Sequence, residues 1–263
     1  MSVVQELAYK WQQAGISQGD TILIHSSLKR TLKSLMKEDQ KISPQVILDS
    51  FLEAVGSSGT LLLPLFNFDF TEGIPFDYNN TPSKMGILTE LARKHPNAIR
   101  TGHPIYSFAV IGHHSEKFRT VNNFSGYGHD SPFATLRQMN GKIAVLDLPD
   151  QNSMTFYHHV EEMNLVSYRY HKTFTGEYID VTGHKDVRTY GLFVRNIEAG
   201  VITHVNPLGE LMWENGLYSG FRPGENCGLR VVNAQKMFDF VSKIIASGKS
   251  KGLLYRIEGE ADD

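Results

Sequence analysis

Apolar and polar residues follow one another along this chain in short, well-punctuated blocks. Residues 3–14 carry Val4, Leu7, Ala8 and Trp11 on one helical stripe, and Gly15 followed by Gln18-Gly-Asp20 closes that block. Thr21-Ile-Leu-Ile-His25 reads as a short buried strand that runs into Ser26-Ser27. Ser43-Pro44 is a helix entry signal; Val46, Ile47, Phe51 and Leu52 give that helix its apolar face, and Gly56 stops it. Gly59-Thr-Leu-Leu-Leu-Pro64 is the next strand, so two strands and the helix between them suggest a βαβ unit.

The interval 66–83 is aromatic and turn-rich, with Phe66, Phe68, Phe70, Phe76 and Tyr78 among its residues. It has no clear period and is long for a connector, which favours a binding loop. A helix over 84–95, a strand over Ile105–Ile111, a helix around 132–139 and a strand over Lys142–Leu146 follow. Up to about residue 165 this alternation predicts a sheet with helices on both faces. Beyond it, Phe174–Val181 and Arg188–Arg195 read as an antiparallel pair joined through Gly183. Helices over 207–215 and 233–247 frame the strand Leu229-Arg-Val-Val232, and Gly252–Ile257 reads as a last strand. No Gly/Ser-rich linker and no internal repeat interrupts the chain. The expectation is one α/β domain over residues 1–263 with an antiparallel C-terminal part.

Composition narrows the partners more than the fold. Hydrophobic residues make up 41% and charged residues 21% of 263, enough apolar content for a sizeable core. A formal net charge of −2 supplies no strong field, so neither nucleic acid nor a membrane surface is an expected partner. A single cysteine, Cys227, excludes an internal disulfide and fits a cytoplasmic setting. The N-terminus lacks a basic stretch followed by an apolar run, and no apolar stretch approaches the roughly 18 residues of a membrane span. A small-molecule substrate is the expectation.

The segment Thr155-Phe-Tyr-His158-His159-Val160-Glu161-Glu162 carries the most chemistry. On a helix, positions i and i+3 share a face, so His158 can meet Glu161 and His159 can meet Glu162. A carboxylate beside an imidazole fixes its tautomer and stabilises its protonated form, which suits a general base near neutral pH. The same two His-x-x-Glu pairs also fit a metal-dependent hydrolase, or ordinary side-chain pairs on a helix. His113-His114 and His184 add imidazoles, yet no His-Glu-x-x-His run or cysteine pair gives metal-ligand spacing, so no metal is expected. No Gly-x-Ser-x-Gly elbow is present, and Cys227 in Asn226-Cys-Gly has no histidine near it in sequence. Polar residues also gather at predicted strand ends: His25-Ser26-Ser27, His103-Pro104 before Ser107, and Gly128-His-Asp-Ser131-Pro132. Each alone reads equally as a turn or helix cap, Ser131-Pro132 above all.

Taken in order, several of these pieces resemble the aminoglycoside 3-N-acetyltransferase family. They are His25-Ser26-Ser27-Leu28, Gly59-Thr60 with Pro64, Thr81-Pro82-Ser83 with Gly86, and His103-Pro104 with Ser107 and Gly112. Gly128, Ser131-Pro132 and Thr155-x-x-His158-x-x-Glu161 complete the set, which spans residues 1–165. The resemblance implies a three-layer α/β/α fold of this family's own type, with acetyl-CoA as co-substrate and direct transfer to the amine of an amino sugar. It places the family's catalytic motif on Thr155, His158 and Glu161, with His158 as base and Glu161 orienting it. Its coenzyme-contacting stretches fall on Ser26, Ser27, Leu28, His103, Ser107, Ser131 and Thr155. The reading admits a homodimer.

Two stretches depart from the family's usual text. Lys29-Arg-Thr-Leu-Lys-Ser-Leu-Met-Lys37 stands where a Gly-rich stretch is usual, and Asp147-Leu-Pro-Asp-Gln-Asn-Ser-Met154 replaces a Gly-containing turn and Asn. The coenzyme loop is therefore expected to be shaped differently. Aminoglycosides are polycations that favour acidic clefts, whereas this chain is nearly neutral, so the acceptor expectation leans to an amino sugar of surface-polysaccharide synthesis. The run Tyr168-Arg169-Tyr170-His171-Lys172 reads as a solvated strand edge, or as a grip for an acidic group on the acceptor.

Overall fold

The computed structural model describes residues 1–38 and 42–259. The first helix, α1 (Val3–Gln13), starts at Ser2, whose side chain closes a capping box with Gln5, and buries Leu7, Ala8 and Trp11. After it come β1 (Thr21–Ser26), α2 (Lys29–Glu38), α3 (Gln45–Val55) and β2 (Thr60–Pro64). The chain continues through β3 (Phe76–Asp77), α4 (Ile87–Arg93), β4 (Ile99–Arg100), β5 (Phe108–Gly112), α5 (Ser115–Arg119), α6 (Pro132–Gln138) and β6 (Lys142–Leu146). Then follow α7 (Phe156–Met163), β7 (Arg169–Ile179), β8 (Lys185–Arg195), β9 (Val201–Thr203) and α8 (Asn206–Glu214). The last elements are β10 (Ser219–Gly220), β11 (Leu229–Asn233), α9 (Ala234–Ala246) and β12 (Tyr255–Ile257).

Among the described residues the main sheet has seven strands in the order β10-β11-β6-β1-β2-β5-β4. Its centre is parallel, with Ile22 opposite Leu61 on one side of β1 and Ser26 opposite Leu146 on the other, so the βαβ unit forms as expected. Alternate residues of these strands feed two cores. Ile22, Ile24, Leu61 and Leu63 meet Trp11, Phe51 and Leu88 of α1, α3 and α4. Leu23, Leu62, Ile143 and Val145 meet Phe133, Phe156, Val160 and Val241 of α6, α7 and α9. Two covered faces explain why the strands are apolar without alternation and why the chain is a three-layer α/β/α structure. Each such core side chain contributes about 1.5–3 kcal/mol through its removal from water.

Three features differ from the expected elements. The strand expected over 105–111 begins only at Phe108 and runs antiparallel to β2, Leu61 facing Ile111. A strand buried on both faces carries no local signal for its direction; here α4 leads into β4, which runs parallel to β2, and the short step from β4 to β5 brings β5 back antiparallel between them. Residues 29–38 form α2, which the sequence reading left without an element; Leu28 and Leu35 are buried, and Leu32 packs against the same core. The C-terminal strand shortens to β12 and pairs with β9 in a separate two-stranded sheet.

The antiparallel C-terminal part is present and longer than expected. β7 and β8 pair over their whole lengths from Arg169–Arg195 to Ile179–Lys185. Their turn uses Gly183 at φ 86, a left-handed conformation that a side chain would strain. Tyr178, Tyr190, Leu192 and Phe193 of this hairpin join the core beneath α6 and α7. In the aromatic interval 66–83, Phe66, Phe70 and Phe76 are buried, while Phe68 and much of the intervening turn sequence are exposed.

Candidate active site

Helix α7 starts after Thr155, and Phe156, Tyr157 and Val160 anchor its inner face. With that face fixed, His158 and Glu161 share a flank that looks along the carboxyl edge of β6. His158 Nδ1 lies 2.8 Å from Glu161 Oε2, with side chains 20% and 1% exposed. Arg169, the first residue of β7, brings Nε within 2.8 Å of the same oxygen. Burial alone raises the Glu161 carboxyl, but the charge of Arg169 and then His158 more than reverse this, leaving it below its ordinary value. An ionised Glu161 can only accept and so favours the tautomer with the proton on Nδ1, against Arg169 Nη2, which lies 2.9 Å from the same nitrogen and can only donate. In that tautomer Nε2 holds the lone pair, on a ring that lines the neighbouring cleft. His158 itself lies below its ordinary value, first through burial and then through the charge of Arg169, so the ring is a neutral base at neutral pH.

The second His-x-x-Glu pair does not close. His159 Nδ1 sits 2.6 Å from the Tyr127 carbonyl oxygen, and Glu162 accepts from the Ser125 hydroxyl at 2.7 Å. The two pairs therefore do not combine. Among the described residues no group of three or more His, Cys, Asp or Glu side chains is placed to hold a metal ion.

A cleft of about 170 Å³ opens beside His158, lined by residues 150–155, His158, Thr203 and Val205. Thr155 lies at its edge, half-buried, and its hydroxyl makes no capping bond to α7. Ser26, Ser27 and Leu28 lie next door in the sheet. Ser26 pairs with Leu146, and the Ser27 amide donates to the Leu146 carbonyl at 2.8 Å, where the cleft-forming loop begins. Leu28 turns into the core and leads directly into α2. This is the carboxyl edge of two adjacent parallel strands, where open α/β sheets bind ligands.

The other three coenzyme-contact candidates are hydrogen-bonded within the fold. His103, Ser107 and Ser131 are each fully buried. His103 Nδ1 accepts from the amides of Ile105 and Tyr106 at 3.2 and 3.0 Å, so its Nε2–H faces the Gly191 carbonyl at 3.3 Å. Ser107 accepts from Arg100 Nε at 3.1 Å, and Ser131 caps α6 by accepting from the Ala134 amide at 3.3 Å.

Beneath the cleft lies a network that the sequence reading did not single out. Asp150 takes Arg230 Nη2 at 2.7 Å on one oxygen and the hydroxyls of Tyr157 and Tyr218, both at 2.7 Å, on the other. The Arg230 side chain is 1% exposed, so this ion pair is sealed beneath the cleft floor. His25 shares that face of the sheet, since Arg230 and His25 both pair with Val145. Burial and then Arg230 lower His25 to about 3. Arg169 stands apart from its neighbours in the run 168–172, which reads as a solvated strand edge or as a grip for an acidic group on the acceptor. Tyr170, His171 and Lys172 are indeed exposed, but Arg169 is buried. Nothing local marks it: its partners are eight and eleven residues back, across a turn.

A family model described as aminoglycoside 3-N-acetyltransferase matches residues 23–246. The chain belongs to this family. Aminoglycoside N(3)-acetyltransferase VII of Streptomyces paromomycinus is 24% identical over 172 residues, covering 57% of this chain and 56% of that protein. The chain thus spans little more than half the length of that curated relative. Among solved structures, AAC-IIIb with CoASH superimposes with a TM-score of 0.76 at 21% identity, over 94% of this chain and 97% of that one. AAC-VIa bound to sisomicin superimposes with a TM-score of 0.77 at 19% identity, over 94% and 98%. These two likenesses are likenesses of fold, and they agree with the three layers seen here.

The two stretches that depart from the aminoglycoside 3-N-acetyltransferase pattern meet in space. Arg30, in the first turn of α2, donates Nε to both oxygens of Asp147 at 3.0 and 2.9 Å and Nη1 to the Asn226 carbonyl at 2.8 Å. Gly228 passes so close that a Cβ there would lie 2.0 Å from Asp147 Oδ1. A helix in place of the Gly-rich stretch is thus tied to the loop that builds the cleft.

Proposed function

We propose that this chain transfers the acetyl group of acetyl-CoA directly to an amine of an amino sugar, with His158 as general base and Glu161 as its orienter. The observation that carries the reading is His158 Nδ1 lying 2.8 Å from the buried Glu161 carboxylate while the same ring lines the cleft. As the amine nitrogen bonds the acetyl carbon and the carbon–sulfur bond breaks, His158 Nε2 accepts the proton the amine sheds and returns it to the departing sulfur. Glu161 stabilises the imidazolium in between. The Thr155 hydroxyl, uncommitted to its helix, and the amides beside Ser26 are the donors proposed for the developing oxyanion.

Ser26, Ser27, Leu28 and Thr155 are the proposed coenzyme contacts: the first three end or follow β1, where Ser26 pairs with Leu146, and Thr155 lines the cleft formed by the loop that follows Leu146. Lys29 and Lys33 stand one turn apart on the exposed side of α2, a charge suited to phosphates. The CoASH and sisomicin of the two solved relatives support the donor and the acceptor class. Within the class, the cleft favours a weakly charged amino sugar. Its one lining carboxylate, Asp150, is spent on Arg230 and two tyrosines, leaving amides and hydroxyls at the rim.

The test is thiol release from acetyl-CoA across aminoglycosides and nucleotide-linked amino sugars. Turnover with a nucleotide-linked amino sugar supports the full reading. Efficient acetylation of sisomicin with a micromolar KM would keep the chemistry and overturn the acceptor preference. No thiol release with any amine would end the acetyltransfer reading. Activity that follows a stoichiometric metal and disappears on chelation would favour hydrolysis instead.

A further inference from the structure

We propose that Arg169 is the counter-ion that lets Glu161 stay ionised beside an unprotonated His158, making it a positioning residue for the general base. The inference rests on the reading of His158 as that base. It starts from three contacts of one buried guanidinium. Arg169 Nε lies 2.8 Å from Glu161 Oε2, its Nη2 lies 2.9 Å from His158 Nδ1, and its Nη1 donates to the Phe193 carbonyl at 3.1 Å. Glu161 can only accept and Nη2 can only donate, so the two compete for Nδ1, and the guanidinium holds the ring as well as balancing the carboxylate. The Phe193 bond ties it to β8, so it cannot swing away with the loop that precedes β7.

Charge balance in this buried site has one solution that leaves a free base: a cationic Arg169, an anionic Glu161 and a neutral ring. Without Arg169 the carboxylate is a nearly uncompensated buried charge, a state that buried carboxylates escape by taking up a proton. The His158–Glu161 pair then takes up a proton at higher pH. Either destination disables the site. A protonated ring has no lone pair for the amine, and a neutral Glu161 no longer stabilises an imidazolium. Other groups face the pair from each neighbouring element. Tyr127, from the loop before α6, sets its ring edge-on to His158 at 5.2 Å. Tyr168 lies beside Glu161, and Arg195 of β8 adds a weaker positive charge. Both phenols are held neutral by burial, so neither replaces the guanidinium.

The direct readout needs no substrate. Histidine NMR titration of the full chain, with His158 assigned from H158Q, compares wild type with R169Q, R169K and E161Q. Proton uptake by the pair is expected to move to higher pH in R169Q, to return most of the way in R169K, and to move lower in E161Q, where the guanidinium is left unbalanced. In thiol-release assays the acid limb of kcat/KM moves with it. At pH values below both acid limbs, activity in R169Q falls roughly tenfold for each unit of displacement, while the plateau at high pH falls less. A merely structural clamp would lower the whole profile without moving it. Titration in R169Q that stays put or moves lower overturns the proposal, as does R169K titrating like R169Q. Should R169Q fail to fold, R169K and E161Q decide it by the same directions. An enzyme that releases no thiol with any amine sinks the acetyltransfer reading and leaves the titration result to stand or fall separately.

Discussion

Helix α7 carries two His-x-x-Glu pairs one residue apart, and only one of them is a pair. His158 and Glu161 face β7, where Arg169 completes a buried charge cluster. A rotation of one residue along the helix aims His159 at the core instead. There it lies among Phe133, Phe156 and Phe238, its Nδ1–H taken by a carbonyl and its Nε2 without a partner among the described residues. Glu162 turns to Ser125 and, with burial as the main cause, is raised above its ordinary value. Identical spacing thus gives one ionised carboxylate and one that resists ionisation. Helical geometry permits such a pair, and the surroundings decide whether it forms.

The largest expected effect separates the two histidines by activity. His158→Ala should cost roughly 10²–10⁴ in kcat/KM, the usual contribution of a general base. His159→Gln should leave it within about threefold, once folding is confirmed by circular dichroism. Equal losses in the two variants would dissolve the distinction.

Next comes acid stability. His159 and His103 are each lowered to about 4, and His25 to about 3, with burial the main cause in all three. A folded value below the unfolded one means stability that is present above about pH 6.5 and is lost as pH falls toward the folded value. His159 alone is expected to account for about 3 kcal/mol across that window. Urea denaturation from pH 7.5 to 4 should therefore show a steep decline in wild type and a shallower one in His159→Gln; parallel curves would show that His159 does not titrate as argued.

The carboxylates differ more gently. Glu162 has a raised folded value, so its ionisation weakens the fold as pH rises through that value. Glu162→Gln should match wild type or exceed it by up to about 1 kcal/mol at pH 7, with the gain fading at lower pH. Glu161→Gln should lose both stability and activity at pH 7, because it strands Arg169 in a buried site. Chemical denaturation at pH 7 and pH 5 checks both, and the same sign for the two substitutions would contradict the assigned charge states. The smallest effect belongs to Arg30→Ala. A pair whose arginine is 41% exposed should contribute no more than about 1 kcal/mol. The variant should nonetheless raise KM for acetyl-CoA, and an unchanged KM would show that the α2 staple does not shape the coenzyme edge.

Much of the architecture was legible because it rests on local repeats. The apolar runs at 21–25, 59–64 and 142–146, bounded by glycines and prolines, mark the parallel centre of the sheet. Gly183 marks the hairpin turn. Where two directions or two conformations bury the same residues, that legibility ended. The direction of β5 is one case. The helix α2 is another, because Leu28 just before it and its own Leu32 and Leu35 are interleaved with lysines and serines.

By itself, then, the amino-acid order determined where the central strands and most of the helices lie, which family the chain resembles, and that a histidine and an acid three apart share a helical flank. These follow from backbone repeats and short-range spacing. Which histidine is paired, which acid is ionised, and which arginine supplies the charge were decided only by tertiary packing. Asp150 and Arg230 are 80 residues apart in sequence, and the carbonyl that claims His159 lies 32 residues away. Protonation in a buried site depends on the dielectric and the partners that distant segments bring to it, and no local pattern records those.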